Sequence, residues 1–554
     1  MKHSVLALLL AALCPTTALC QNAETATVVY VDRTATATQG ASAAAYADDA
    51  AAAVGNLESR QGKFKVKYVD NSFMTEGVKR CLRMALDAWE ERLDIAVPIH
   101  FNVTASETLD PQLEMRTTVA YASDGRSALP TSLQAQADGK ERGDAPDEIA
   151  INALTDWQTS WPNDGTPWGT VNLRTALLRH IAHVLGFGTS VVEQDGEPGF
   201  AVSRTASPFD CLVSNGQATL GSMAATATPT SLNDFFKGDV SLNTAEASYR
   251  LFSEPTGYVP YRSGNYFSLP DDNILNYPYG DSGALMTVND ETLDAMAAIG
   301  WKVNPHDLSI SGSDTDALGY GSLYATHTFR AEDAAGNSKD GTWTYQTFDN
   351  TARAYVDRAS GQGAAFTVTP TCGGADCMDG FACAQGRVAF TADGRTYTLP
   401  LTLDARPLFV DYGISNVQEN ASADYYSFDL TIQQRGATGG DVIVSSDYGT
   451  LCTLPLDGSD EQTVHVANAL NIGYTYLTVN LENEYGTAAR YITINPQSTQ
   501  ITHTTSDHAA NLFDVYTLQG VLIGRGKRTA DLGKGTYIIK SATGAREGRK
   551  ITIR

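Results

Sequence analysis

Leu177-Leu178-Arg179-His180-Ile181-Ala182-His183-Val184-Leu185-Gly186-Phe187-Gly188 is the stretch on which the reading of this chain turns. With Leu173 just upstream, Leu177, Ile181 and Leu185 fall on one helical stripe, an apolar face that would be core in any packed helix. Asn172 is placed to cap the start of that helix and Gly186 to stop it. What sets the stretch apart is the polar content carried between the leucines: Arg179, His180 and His183.

Working outward, Phe64-Lys65-Val66-Lys67-Tyr68-Val69 alternates as a strand does. Val78, Leu82, Ala85, Trp89 and Leu93 then recur at helical steps and leave Lys79, Arg83, Glu90 and Glu91 to solvent. Val97 to Val103 and Glu148-Ile149-Ala150-Ile151-Asn152 read as further strands, and a helix from about Asn289 closes the unit at Ile299-Gly300-Trp301. This order predicts an α/β domain over residues 63–304. Beyond Pro305, short alternating segments such as Ala365-Phe366-Thr367-Val368 and Tyr476-Leu477-Thr478-Val479 are separated by Gly, Asp and Asn. They predict two all-β sandwich modules, 305–407 and 408–497, and a small β unit over 498–554.

The central helix resembles the H-E-x-x-H-x-x-G-F helix of metzincin-like secreted zinc metalloproteases. In that motif one helical turn aims two imidazoles at a zinc ion, and the glutamate is the base for metal-bound water. The resemblance extends to Asp147–Asn152 with Trp157 upstream, to Ser282-Gly283-Ala284-Leu285-Met286-Thr287 as a Met-turn-like segment, and to the closing helix. Carried over by position, it puts the first ligand on Arg179, the general base on His180, the second ligand on His183 and a third histidine on Thr189. Only His183 keeps the required residue type, and no histidine lies between His183 and His306. A guanidinium cannot ligate zinc.

The resemblance therefore implies a protease-like domain that has lost zinc and catalysis, with Arg179 paired to a nearby carboxylate and the cleft kept as a binding surface. An alternative is an active zinc endopeptidase using His180 and His183 with a carboxylate from elsewhere. A third reading is a surface adhesin or glycan-binding protein, for which Trp343, Tyr345 and Tyr355 are candidate stacking residues. Partners are expected to be an extracellular protein, peptide or glycan. No cofactor is expected unless the zinc reading holds.

Residues 1–20, with Lys2 and His3 before an apolar run from Val5 to Leu13 and small residues after it, form an export signal. Residues 21–62 are rich in Ala and Thr and read as a linker or short propeptide. No later run is long and apolar enough for a membrane-spanning helix. A formal net charge of −24 disfavours nucleic acid and anionic membrane as partners. After the signal, Cys81, Cys211, Cys372, Cys377, Cys383 and Cys452 are disulfide candidates in an oxidising compartment. The Gly-rich cluster of Cys372, Cys377 and Cys383 reads as a loop staple rather than a thiolate metal knot.

The last unit, Phe513–Gly520, Leu532–Lys540 and Arg549–Arg554, resembles the C-terminal sorting domain of the type IX secretion pathway of Bacteroidetes. It implies an exported protein that is secreted or held at the outer membrane or cell surface.

Overall fold

Alternation and helical periodicity together build the N-terminal domain. The computed structural model describes residues 25–33, 53–106, 109, 113–123, 127–143, 147–159, 171–268, 273–276, 285–372, 378, 381–419, 425–437, 441–446, 449–456, 458–470, 475–494, 513–516, 522–527, 535–541 and 549–553. The export signal at 1–20 lies outside them.

In chain order the domain contains β1 (Thr25–Arg33), β2 (Ala53–Glu58), β3 (Phe64–Asp70), α1 (Glu76–Arg92), β4 (Ile99–Ser106), β5 (Leu113–Ser123), β6 (Ala128–Pro130), α2 (Thr131–Asp138), β7 (Glu148–Asn152) and α3 (Leu173–Val184). The sheet runs β1-β5-β7-β4-β3-β2, with β6 added to β5. Its middle is parallel, β3 to β4 to β7, and both flanks are antiparallel. Within residues 21–62, read from composition as a linker or short propeptide, Thr25–Arg33 and Ala53–Glu58 supply both edge strands. The compositional cue of Ala and Thr is weak there because the β-branched run Thr27-Val28-Val29-Tyr30-Val31 sits inside it.

The side chain of Thr75 caps α1 by accepting from the Val78 amide, and Asn172 caps α3 by accepting from the Thr175 amide at 3.1 Å. The buried faces of both helices share one core with the sheet, including Leu82, Trp89, Leu177, Ile181 and Leu185. Each such side chain contributes about 1.5–3 kcal/mol when taken out of water. Trp89 adds direction, because its indole N–H donates to the Leu178 carbonyl at 3.0 Å and ties α1 to α3. Gly186 ends α3 at φ +97, and a Cβ there would meet Pro130 Cγ at 2.8 Å, so glycine is required on two counts.

The chain divides into two compact units, Met1–Ala405 and Arg406–Arg554. The first unit contains, besides the α/β domain, a three-stranded and a five-stranded sheet over Leu308–Asp404. Their core is built on Trp343, Phe390 and Leu401. Trp343 and Tyr345 are buried in it, and the half-buried Tyr355 lies under the Arg387 guanidinium, 3.7 Å from its ring centroid. They form no exposed stacking platform, which corrects that part of the adhesin reading.

The second unit holds a three-stranded and a four-stranded sheet over Leu408–Ile494, around a core of Tyr426, Phe428, Leu430 and Val479. It also holds a four-stranded antiparallel sheet formed by Phe513–Tyr516, Leu522–Lys527, Gly535–Ser541 and Arg549–Ile553. The protein is thus multidomain, a mixed α/β domain followed by mostly β-sheet regions.

Candidate functional site

Helix α3 presents Arg179, His180 and His183 toward β1 and β5, and all three are buried. Arg179 is 3 % exposed and its Nε–H donates to the Ile274 carbonyl at 2.7 Å. Its Nη1 donates to Asp32 Oδ2 in a short ion pair. Asp32 comes from β1 and is itself wholly buried. The carboxylate expected beside Arg179 is therefore supplied from 147 residues upstream.

Burial alone would raise the Asp32 carboxyl, but the Arg179 guanidinium, followed by His180, holds it well below the usual carboxylate range. Tyr266 completes its surroundings, with a hydroxyl that lies 2.7 Å from the Val31 carbonyl and 3.2 Å from Asp32 Oδ1. His180 sits between two strands. Its Nδ1 is 2.6 Å from Thr117 Oγ1 on β5, and its Nε2 is 3.1 Å from Asp32 Oδ2, an electrostatic contact off the hydrogen-bond line.

His183 takes a different position. Its Nδ1 lies 2.7 Å from the Phe187 carbonyl, which can only accept, so Nδ1 carries the proton. Burial, then the neighbouring His180, pushes its pKa down to about 3, so the ring is neutral and Nε2 is a lone pair without a hydrogen-bond partner among the described residues. Tyr30 of β1 stacks flat on the ring, 4.3 Å between centroids and 3° between planes, and Tyr266 meets it edge-on at 5.4 Å. Tyr30 is in turn linked to Tyr121 through their hydroxyls at 3.0 Å. Glu114 on β5 lies within electrostatic reach of the pair, and burial first, then the Asp32 charge, pushes its pKa up to about 7.

Met286 is half-buried against the main core, and its amide donates to Thr175 Oγ1 at 3.1 Å, one turn before Arg179. Thr189, at the place of a third ligand, donates instead to Asp210 Oδ1 at 2.7 Å. His180 and His183 are neighbours, with centroids 5.7 Å apart, but Asp32 Oδ2, the carboxylate oxygen that lies beside His180 among the described residues, is engaged by a guanidinium. A fixed cation at that point repels a dication, and the described residues there do not fit zinc.

The cluster beside strand β1 is closed to water, and Asp32, Tyr30, Arg179, His180 and His183 are all 3 % exposed or less. Asp32, Tyr30, Tyr266, Thr117 and Glu114 were not legible as site residues. The available signal was the alternation Val28, Tyr30, Asp32, which puts an acid on the buried face of a strand.

The cysteines also differ from expectation. Cys81, Cys211 and Cys452 carry free thiols, and Cys383 keeps a thiol that faces the Phe381 carbonyl at 3.6 Å. Cys372 is disulfide-bonded, and Cys377 lies outside the described residues. Cys81 is buried in the α1 core, where a small apolar side chain packs well without a partner.

No family model and no curated protein matches the chain. Among solved structures, a chimeric titin Z1Z2-Z1Z2 tandem functionalised with a fibronectin peptide aligns at 11% identity over 30% of this chain and 88% of its own, with a TM-score of 0.13. A chimeric titin Z1Z2 functionalised with a decorin peptide aligns at 14% identity over 34% of this chain and 98% of its own, with the same score of 0.13. The native conformation of E. coli alpha-2-macroglobulin aligns at 10% identity over 50% of this chain and 23% of its own, again at 0.13. Similarity at that score carries no argument about this chain.

Proposed function

We propose that this is an exported, multidomain protein whose metalloprotease-like α/β domain is non-catalytic and serves as a binding or scaffold element at the cell surface or in the medium. One observation carries the reading: the Arg179–Asp32 ion pair, buried against His180, stands where the resemblance calls for a metal and its water. The metzincin-like identity rests on the order of helix, strand, His-bearing helix and Met286 segment. The sorting role of the last β unit and the fibronectin type III-like or immunoglobulin-like character of the sandwich modules rest on the strand patterns given above.

The test is proteolysis. Full-length protein incubated with casein and with a mixed peptide library should release no new termini, with or without added zinc. Cleavage that is abolished by a chelator and by His183→Ala would replace this reading with that of a zinc endopeptidase.

A further inference from the structure

Two arginines of the first unit differ in whether their charge is answered. The Arg60 guanidinium is buried, which works against its charge, but Asp87 at 3.1 Å outweighs that cost and pushes its pKa up. Arg92, half-buried in the last turn of α1, is the opposite case. Burial pulls its pKa down, and Asp290 and Glu91 act on it without making up the difference. Its guanidinium has no hydrogen-bond or ion-pair partner among the described residues. The helix dipole favours a cation in a last turn, but it does not explain why this one lies against a cavity.

That cavity, of about 360 Å³, lies between the α/β domain and the sheets over Leu308–Asp404. Its size and its place between two domains are those of a small-ligand pocket. Its walls are fixed by the backbone. The Asn304 amide donates to the Arg92 carbonyl at 2.9 Å, the Asp94 amide to the Lys302 carbonyl at 2.8 Å, and the Lys63 ammonium to the Ile95 carbonyl at 2.8 Å.

Acids line the cavity too, but they are already engaged or turned outward. Glu90 accepts from the Ser59 hydroxyl and from the Gln61 and Lys63 amides. Glu91 accepts from Tyr355, Thr398 and the Gln61 side chain, and Asp94 is exposed 3.8 Å from Lys302. What remains to bind a ligand is the Arg92 fork, the further N–H bonds of Lys63, and the side-chain oxygens of Gln61 and Asn304, whose N–H groups are given to Glu91.

A guanidinium fork matches a planar carboxylate in two parallel hydrogen bonds, and amide oxygens accept from hydroxyls. A dianion such as phosphate would bring a second charge against Glu90 and Glu91. We propose that this cavity binds a hydroxylated monocarboxylate of monosaccharide size, the chemistry of a uronic acid, with its carboxylate on Arg92 and its hydroxyls on Gln61 and Asn304. The inference rests on the binding role given above to the non-catalytic domain and names a ligand class for it.

Calorimetric titration of the full-length protein with sodium glucuronate, glucose and inorganic phosphate tests it, with Arg92→Gln alongside. Glucuronate should bind at least about tenfold more tightly than the other two, and Arg92→Gln should lose about tenfold in glucuronate affinity. Thermal melts separate a ligand-binding group from a structural one. Without ligand, Arg92→Gln should melt no lower than the native protein, because it removes a charge whose burial is not offset. With glucuronate, only the native protein should gain in Tm.

Tighter binding of an oligouronate than of glucuronate would assign the cavity to the end of an acidic glycan, and equal binding to the free sugar acid; either supports the site. No uptake of glucuronate by the native protein, equal uptake of phosphate, or undiminished uptake by Arg92→Gln overturns the proposal. So does an Arg92→Gln chain that melts lower or fails to fold, which makes the guanidinium structural. None of these failures touches the proteolysis test, on which the non-catalytic reading stands.

Discussion

Among the described residues of the first unit two arginine–aspartate pairs are buried, and they are built for different ends. Arg179–Asp32 joins α3 to the edge strand β1, with His180 and Tyr266 against the carboxylate. Arg60–Asp87, 3.1 Å apart and equally excluded from water, lies beside α1 and sends its other guanidinium nitrogen to the Gly386 carbonyl. The second pair is a mortise between the α/β domain and the sandwich that follows, reinforced by Thr398 donating to Glu91 at 2.5 Å. The first pair holds one strand that contributes nothing to the main core. Buried ion pairs are weak evidence of net stability, since desolvation offsets much of the attraction. The difference in what each pair connects is therefore more telling than their shared chemistry.

Breaking one partner should expose that difference. Asp32→Ala leaves the Arg179 charge buried and unpaired and should cost about 3–5 kcal/mol in chemical denaturation followed by tryptophan fluorescence. Replacing both members, Asp32→Leu with Arg179→Met, should recover most of the loss. If the double variant is as unstable as the single one, the pair is more than a neutralised charge.

Arg60→Met should cost about 3 kcal/mol, and its signature should be different. Because the guanidinium bridges to Gly386, calorimetry should split one transition of the first unit into two, with the sandwich melting by itself. A single transition lowered as a whole would remove the mortise role.

The titrating groups around the first pair sharpen the comparison further. Glu114 is held near pKa 7 in the fold against 4.5 ordinarily, so the folded state binds the extra proton between those values. Its contribution is full below about 4.5 and is lost as pH rises through 7, a change of about 3 kcal/mol. His183 acts in the opposite sense: the folded ring stays neutral down to about pH 3, so its contribution is full above 6.5 and is lost as pH falls through 3. Stability against pH for Glu114→Gln should be flatter between about pH 4.5 and 7, with the His183 limb at lower pH unchanged. An unaltered slope between those values would place Glu114 outside the cluster's electrostatics.

The smallest expected effect is Gly186→Ala, at about 1–2 kcal/mol from the positive φ and the contact with Pro130. A neutral result in thermal melts would mean that the end of α3 relaxes.

The helices were the legible part of the fold, for a physical reason. A helix buries a stripe whose period is visible within one segment, and Asn172, Gly186 and the leucines between them mark α3 from start to stop. Arg179 and His183 were readable as odd residues on that helix, but their surroundings were not. Asp32 and Tyr30 lie more than a hundred residues upstream, and Tyr266 more than eighty downstream, so only the tertiary fold brings them together. Edge strands escaped for the same reason. A strand with one neighbour needs only a short β-branched run, and β1 offers little more than Thr27 to Val31 inside an Ala/Thr-rich stretch. Among the cysteines, compartment argues for pairing and Cys372 is disulfide-bonded, but Cys81 is not, because packing is satisfied by a lone buried thiol.

The central claim is that a guanidinium–carboxylate pair has taken the place of a metal. The direct measurement is zinc stoichiometry of the purified full-length protein by mass spectrometry, before and after incubation with equimolar zinc and removal of the unbound ion. The account predicts no zinc above background in native protein and none gained. One zinc per chain, lost on His183→Ala, would contradict it.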